Sequence, residues 1–328
     1  MADDKKLSPE EAADKIAGEL MDVKATEQVA IMCDEDSPRE MIAALQKTMH
    51  KIGAEYAVLL QPSRSAANKN LMNPVIEHGL EQADVLIGLT KSSGAPVYAA
   101  KVKQLLAAKR LRVMSLAMRD LDTLTAGGAT ADYAAVKKSG DALAEIWRNS
   151  REMRITSEAG TDIQAPIAFD DVIIECGYVR EAGYMAGLPD GEVSSRPIEG
   201  QANGVFVVDG PAAIVGKPDV PIKIRVEMGK VVEVMGDCPQ ADELRTIVST
   251  VPQADNIAEF GIGLNPSSRP DGIFQEVKKR QGQVHIAIGD NVYYGGTVQS
   301  NVHIDLVVLN PTVFLDDRMI VENGRILF

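Results

Sequence analysis

Over residues 1–150, short apolar runs alternate with amphipathic stretches, and this alternation limits the fold more than any other feature of the chain. Runs at 28–33, 56–60, 83–89 and 112–116 read as strands. Between them, Ser37-Pro38 opens an amphipathic stretch over 39–52 that Gly53 closes, Asn73-Pro74 opens another, and further helices are expected over 97–108 and 132–150. Proline just inside a start and glycine just past an end are how helices are punctuated. Strands joined by helical crossovers start again from the same end of a sheet and pair in parallel. The first 150 residues therefore predict an α/β domain with a parallel sheet.

After Arg154 the texture changes. Short β-branched runs fall at 172–174, 204–208, 221–226, 231–235, 285–288 and 303–309, with Gly and Pro between them. Two helical patches, 241–250 and 272–280, interrupt the pattern, and 313–328 reads as two strands around turn signals, of which Asn323-Gly324 is a strong hairpin signal. Residues 151–328 thus predict a second domain, β-rich and α+β, as the length of 328 residues also suggests.

Lys and Arg total 34 against 47 Asp and Glu, a formal charge of −13, which repels phosphate backbones and anionic lipid surfaces. Nucleic acid and membranes are therefore not expected partners. Cys33, Cys176 and Cys238 are odd in number and show no CxxC spacing, so neither a disulfide framework nor a cysteine zinc site is expected. The start, Met-Ala-Asp-Asp-Lys-Lys, lacks the apolar stretch of a signal peptide, and no apolar run is long enough to span a bilayer. A soluble cytoplasmic protein is expected.

Common chemical motifs are missing. No GxGxxG or GxxxxGK[ST] occurs, and Thr125-Ala-Gly-Gly-Ala-Thr130 reads as a plain loop. No Gly-x-Ser-x-Gly elbow is present, and no cysteine has a histidine near it in sequence. What remains is a set of metal-capable residues in the β-rich half. His303-Ile-Asp305 puts an imidazole and a carboxylate on one strand face. His285 opens an apolar strand, Glu259 lies among apolar residues and glycines, and Glu192 follows the turn Leu188-Pro-Asp-Gly. Each also has an ordinary structural reading: a hydrogen-bonded His–Asp pair, a half-exposed Glu259, a solvated Glu192. Spacing alone does not unite them.

From Ser157 onward the chain resembles the thermophilic aminopeptidase family of metallopeptidases, which includes aminopeptidases T and S. The resemblance lies in Leu188-Pro-Asp-Gly-Glu-Val193, Glu259-Phe-Gly-Ile-Gly-Leu-Asn265, His285-Ile-Ala-Ile-Gly289 and Ser300-Asn-Val-His-Ile-Asp305. It implies two divalent ions (Zn, Mn, Co or Fe) held by Glu192, Glu259, His285, His303 and Asp305, with Tyr293 or Tyr294 as a catalytic tyrosine. It also implies a homodimer and a metal-activated water that attacks an amide or peptide-like bond of a small molecule or short peptide.

Arg154-Ile-Thr-Ser-Glu-Ala-Gly-Thr-Asp-Ile-Gln-Ala-Pro166 and Glu175-Cys-Gly-Tyr178 are instead similar to the 2,5-dihydroxypyridine 5,6-dioxygenase branch of the same superfamily. That similarity implies a single Fe(II), held by a histidine at the Glu259 position and by the equivalents of His303 and Asp305. This chain has glutamate at that position and has His285, which the branch lacks. The ligands therefore favour a metallohydrolase as the main expectation, the body of the chain favours the Fe(II) ring-cleaving dioxygenase as the alternative, and a metal-free binding protein is a third reading. The expected architecture is an α/β N-terminal domain with a parallel sheet followed by a β-rich α+β metal-binding domain.

Overall fold

The computed structural model describes residues 5–65, 68 and 71–328. The extreme start, on which the reading of residues 1–6 partly rests, lies outside the described residues at 1–4. The chain divides into two compact units, 1–133 with 177–190, and 134–176 with 191–328.

The first unit is built on a five-stranded sheet in the order Glu55–Gln61, Gln28–Asp34, Val85–Gly88, Arg112–Ser115, Met185–Gly187. Every neighbouring pair in it is parallel. Its inner strands are buried along most of their length, as a sheet covered on both faces requires. The helix Arg39–Ile52 ends where expected, because Gly53 adopts φ 81° and its N–H reaches the Met49 and His50 carbonyls. Ser37 does not cap that helix; its hydroxyl donates to Asp34. Gly127–Thr130, expected as a plain loop, forms a short 3-10 turn.

The second unit holds two antiparallel sheets. One has eight strands, in the order Lys230–Met235, Ile222–Glu227, Asn203–Val208, Asp162–Pro166, Glu152–Thr156, Thr312–Leu315, Arg318–Glu322, Arg325–Ile326. The last two close over Asn323-Gly324, both at positive φ, the backbone that a two-residue hairpin turn demands. The other sheet has five strands, in the order His303–Val308, Val284–Gly289, Ile257–Gly263, Glu192–Ser195, Ile173–Glu175. One core fills the space between them: Phe206, Val208, Ile222 and Ile224 come from the first sheet, and Phe260, Ile262, Ile286, Ile288, Ile304 and Leu306 from the second.

The division departs from a boundary at residue 150 in two ways. The helix Tyr133–Arg148 gives Leu143, Ala144 and Trp147 to the core of the second unit, so it belongs there from residue 134. Residues 177–190 return to the first unit because Met185–Gly187 pairs in parallel with Arg112–Ser115. Pairing across seventy residues leaves no local mark in sequence. Trp147 is fully buried, so Trp147→Ala is expected to destabilise the second unit by roughly 3–5 kcal/mol. Denaturant unfolding followed by a probe in that unit measures this, and a loss under about 1 kcal/mol would mean that the helix is not part of its core. Among the described residues no helix is long and apolar enough to cross a membrane.

Candidate metal centre

The five-stranded antiparallel sheet carries alternating side chains, so Phe260, Ile262, Ile286, Ile288, Ile304 and Leu306 face the core while their neighbours face the other way. Directly opposed residues of antiparallel strands point to the same side. The register therefore brings Glu175 beside Glu192, Glu192 beside Gly263, Gly261 beside His285, Ala287 beside both Glu259 and Asp305, and Gly289 beside His303. On this face each polar residue of the inner strands meets a glycine or alanine across the ladder. The room is needed, because a Cβ on Gly261 would fall inside the His285 ring.

Glu259 is the hub. Its side chain is completely buried, and its two oxygens part to meet His285 Nε2 at 3.1 Å and His303 Nε2 at 2.9 Å. His303 Nε2 also lies 3.0 Å from Asp305 Oδ1, and His285 Nε2 lies 3.6 Å from Glu192 Oε2. Two overlapping groups, Glu192–Glu259–His285 and Glu259–His303–Asp305, have ligand atoms within 4.8 Å of one another and could hold a metal ion. The five residues singled out in the sequence thus lie together.

The two histidines differ in how they are held. His303 Nδ1 lies 2.7 Å from the Asp290 carbonyl, an atom that only accepts, so Nδ1 carries a proton and donates it. In the neutral ring Nε2 is then bare, and it faces two carboxylate oxygens. Three lone-pair atoms converge on a point that needs a cation, either a proton or a metal. Without an ion, the proton takes that place: burial works against the charge of His303, but the carboxylates of Asp305 and Glu259 beside it hold its pKa well above the ordinary value. The proton directed at Glu259 leaves Asp305 Oδ1 buried without a hydrogen-bond donor. His285 has no comparable support, since its Nδ1 is buried and makes no hydrogen bond. An acceptor behind the ring is what fixes a histidine as a ligand, and only His303 has one.

Sequence reading missed Lys278, Lys279 and Glu175 as neighbours of these residues. Lys278 and Lys279 end the short helix Phe274–Lys279, and both turn inward. Lys278 Nζ is 2.8 Å from Asp305 Oδ2 and 3.5 Å from Glu192 Oε1, while Lys279 Nζ is 2.9 Å from Glu192 Oε1 and in close contact with Glu175. Burial opposes the charge of Lys278, yet Asp305 and Glu192 outweigh it and raise its pKa. For Glu259 and Asp305 burial likewise acts against charge, but the cations beside them keep both well below the usual carboxylate range. Glu175 goes the other way, pushed up by burial despite Lys279. Adjacent lysines near a helix end ordinarily read as a solvated face.

Tyr294 stacks on the His303 ring, with centroids 5.6 Å apart and planes at 23°, and Tyr293 packs edge-on against Tyr294 at 5.1 Å. Burial raises the Tyr294 pKa well above its ordinary value, so the phenol stays protonated. Tyr293 is half exposed, at 51%. His303, with a side chain 30% exposed against 10% or less for Glu192, Glu259, His285 and Asp305, marks the open side of the cluster.

Over 201 residues the chain is 26% identical to the 2,5-dihydroxypyridine 5,6-dioxygenase of Pseudomonas putida KT2440. That match covers 56% of each sequence, so it spans about half the length of the curated relative. The solved structure of 2,5-dihydroxypyridine dioxygenase from Pseudomonas putida KT2440 superposes with a TM-score of 0.80 at 20% identity, covering 98% of both chains. Wild-type AmpT from Thermus thermophilus gives 0.63 at 16% identity, over 98% of this chain and 99% of that one. At these identities the two structures speak for a shared fold alone. The profile of one family matches residues 16–328, nearly the whole sequence, and on that match the chain belongs to the NicX, 2,5-dihydroxypyridine 5,6-dioxygenase, family.

Proposed function

We propose that this protein is a ring-cleaving dioxygenase that acts on a small dihydroxylated aromatic or heteroaromatic ring, with one ferrous ion held by Glu259, His303 and Asp305. The observation that carries the metal assignment is the His303 ring, whose Nδ1–H is committed to the Asp290 carbonyl while Nε2 faces Glu259 and Asp305. Family membership favours the oxidative chemistry over the hydrolytic one. One histidine and two carboxylates form a hard, anionic N/O set that suits a divalent first-row ion with positions left open. This departs from the ligands implied by the dioxygenase resemblance, since Glu259 stands where a histidine is expected.

When bound, a ferrous ion there supplies redox chemistry with O₂ and an anchor for a ring hydroxyl. The chain's own residues set the geometry. His285 engages Glu259 Oε1 and leaves Oε2 towards His303, while Lys278 engages Asp305 Oδ2 and leaves Oδ1 on the same side. Tyr294 shields one face of the His303 ring, so the ring cannot turn without losing the stack. In the reaction one ring C–C bond breaks and both atoms of O₂ enter the product, so no outside reductant is consumed.

The test loads the purified protein with Fe(II) under nitrogen, adds a panel of dihydroxylated pyridines and benzenes, and follows O₂ uptake after air is admitted. One O₂ consumed per ring opened is the expected result. A second reading, hydrolysis of an amide or peptide-like bond, draws on the other group, Glu192–Glu259–His285. It predicts cleavage of amino-acid amides under nitrogen with Zn, Mn or Co, and that outcome with no O₂ uptake would replace the dioxygenase reading.

A further inference from the structure

We infer that Lys278 and Lys279 occupy the place of a second metal ion, so that this protein binds one divalent ion per chain although it carries the ligand types for two. The inference rests on the reading that Glu259, His303 and Asp305 hold an ion. In the group Glu192–Glu259–His285, Glu192 is the carboxylate that a second ion would need most, and Lys279 Nζ lies 2.9 Å and Lys278 Nζ 3.5 Å from its Oε1. Lys278 also takes Asp305 Oδ2, and Lys279 takes Glu175. An ion added beside Glu192 would face two ammonium groups in a buried place, where like charges repel with little screening.

The charge count agrees. Glu175, Glu192, Glu259 and Asp305 are four carboxylates against two ammoniums, which leaves at most two negative charges, enough to balance one divalent ion. Neither lysine can readily swing away. Their side chains are only 12% and 8% exposed. The helix that bears them is fastened from below by Glu276, fully buried and bound to the Arg269 guanidinium and backbone N–H. Just beyond it, the Lys279 carbonyl accepts from Asn265 N–H at 2.9 Å, and the backbone at 279–280 lies directly on Gly263, where any side chain would collide with the Arg280 carbonyl. Gly263 is the residue opposite Glu192, so the missing side chain is what lets the lysines reach that carboxylate.

The test counts ions. Wild-type protein equilibrated with excess Mn(II), desalted and analysed by plasma mass spectrometry is expected to hold one ion per chain. The double variant Lys278→Met/Lys279→Met, which frees two negative charges at nearly constant volume, is expected to hold two, with a spin-coupled Mn(II) pair in its paramagnetic resonance spectrum. Two ions in the wild type overturn the inference, and that count needs no variant to fold. One ion in both the wild type and a double variant with native circular dichroism also overturns it, while leaving the proposed centre standing. No ion in the wild type overturns the centre itself and the inference with it. If the double variant does not fold, Lys279→Met alone takes its place, with a rise above one ion expected and a count still at one counted against the inference.

Discussion

Replacing Glu259 by glutamine is expected to weaken metal binding by more than the roughly 10- to 100-fold typical of removing a residue that only supports a ligand. The change keeps size and shape, so it isolates charge. Glu259 is completely buried and is the one carboxylate shared by both metal-capable groups, which gives an ion no substitute for it nearby. An amide supplies one neutral oxygen and turns an N–H₂ towards one of the two imidazoles that the carboxylate now satisfies. Activity at limiting Fe(II) should fall with affinity and recover partly at high Fe(II), and the gain in melting temperature that metal gives the wild type should shrink, since ligand-induced stability follows ligand saturation. Titration calorimetry reads the affinity directly. An unchanged dissociation constant would show that Glu259 holds the histidines and not the ion. Glu259→His is the companion experiment: an imidazole at this position should keep Fe(II) binding far better than glutamine does.

The second large effect is expected away from the ion. Glu276→Ala removes a fully buried carboxylate from a guanidinium that approaches it at 2.9–3.1 Å. Breaking a buried pair by removing one partner costs about 3–5 kcal/mol. Arg269 is 30% exposed and regains some water, so the lower end of that range is expected. Urea unfolding in the presence of chelator measures it without interference from metal. A cost below about 1 kcal/mol, the range of exposed pairs, would mean that the carboxylate does not anchor the helix.

How far the sequence could be read depended on how local each feature is. Four of the five strands of the first sheet were visible because each is a short apolar run between helix signals, and Gly53 there and Asn323-Gly324 in the eight-stranded sheet marked turns through backbone conformations that few residues adopt. Ser8-Pro9-Glu10-Glu11, a capping box at the start of the helix Pro9–Asp14, was equally local and was overlooked. The alternation in Glu259-Phe-Gly-Ile-Gly263 and His285-Ile-Ala-Ile-Gly289 marks strands but left the polar residues separate, and only their resemblance to the aminopeptidase motifs named them as one set before the geometry was known. The return of residues 177–190 to the first unit and the order of strands in each sheet arise from distant pairing, which no window of sequence displays. The lysines were hidden for another reason. Their meaning depends on the carboxylates they meet, Glu175, Glu192 and Asp305, all supplied by other strands.

The glycines and alanines opposite the polar side chains have a consequence for how such a protein can change. Gly261, Gly263, Ala287 and Gly289 determine where side chains are allowed to stand, and Glu192, Glu259, His285, His303 and Asp305 determine what stands there. Shape and reactivity are therefore written at different positions of the same strands. A substitution at a small residue ruins the space for its neighbour, whereas a substitution at a polar residue of similar bulk alters the electron donors and leaves the scaffold untouched. New chemistry on this sheet is then one or two replacements away, with no refolding in between, and its history should show polar positions that vary beside small positions that do not.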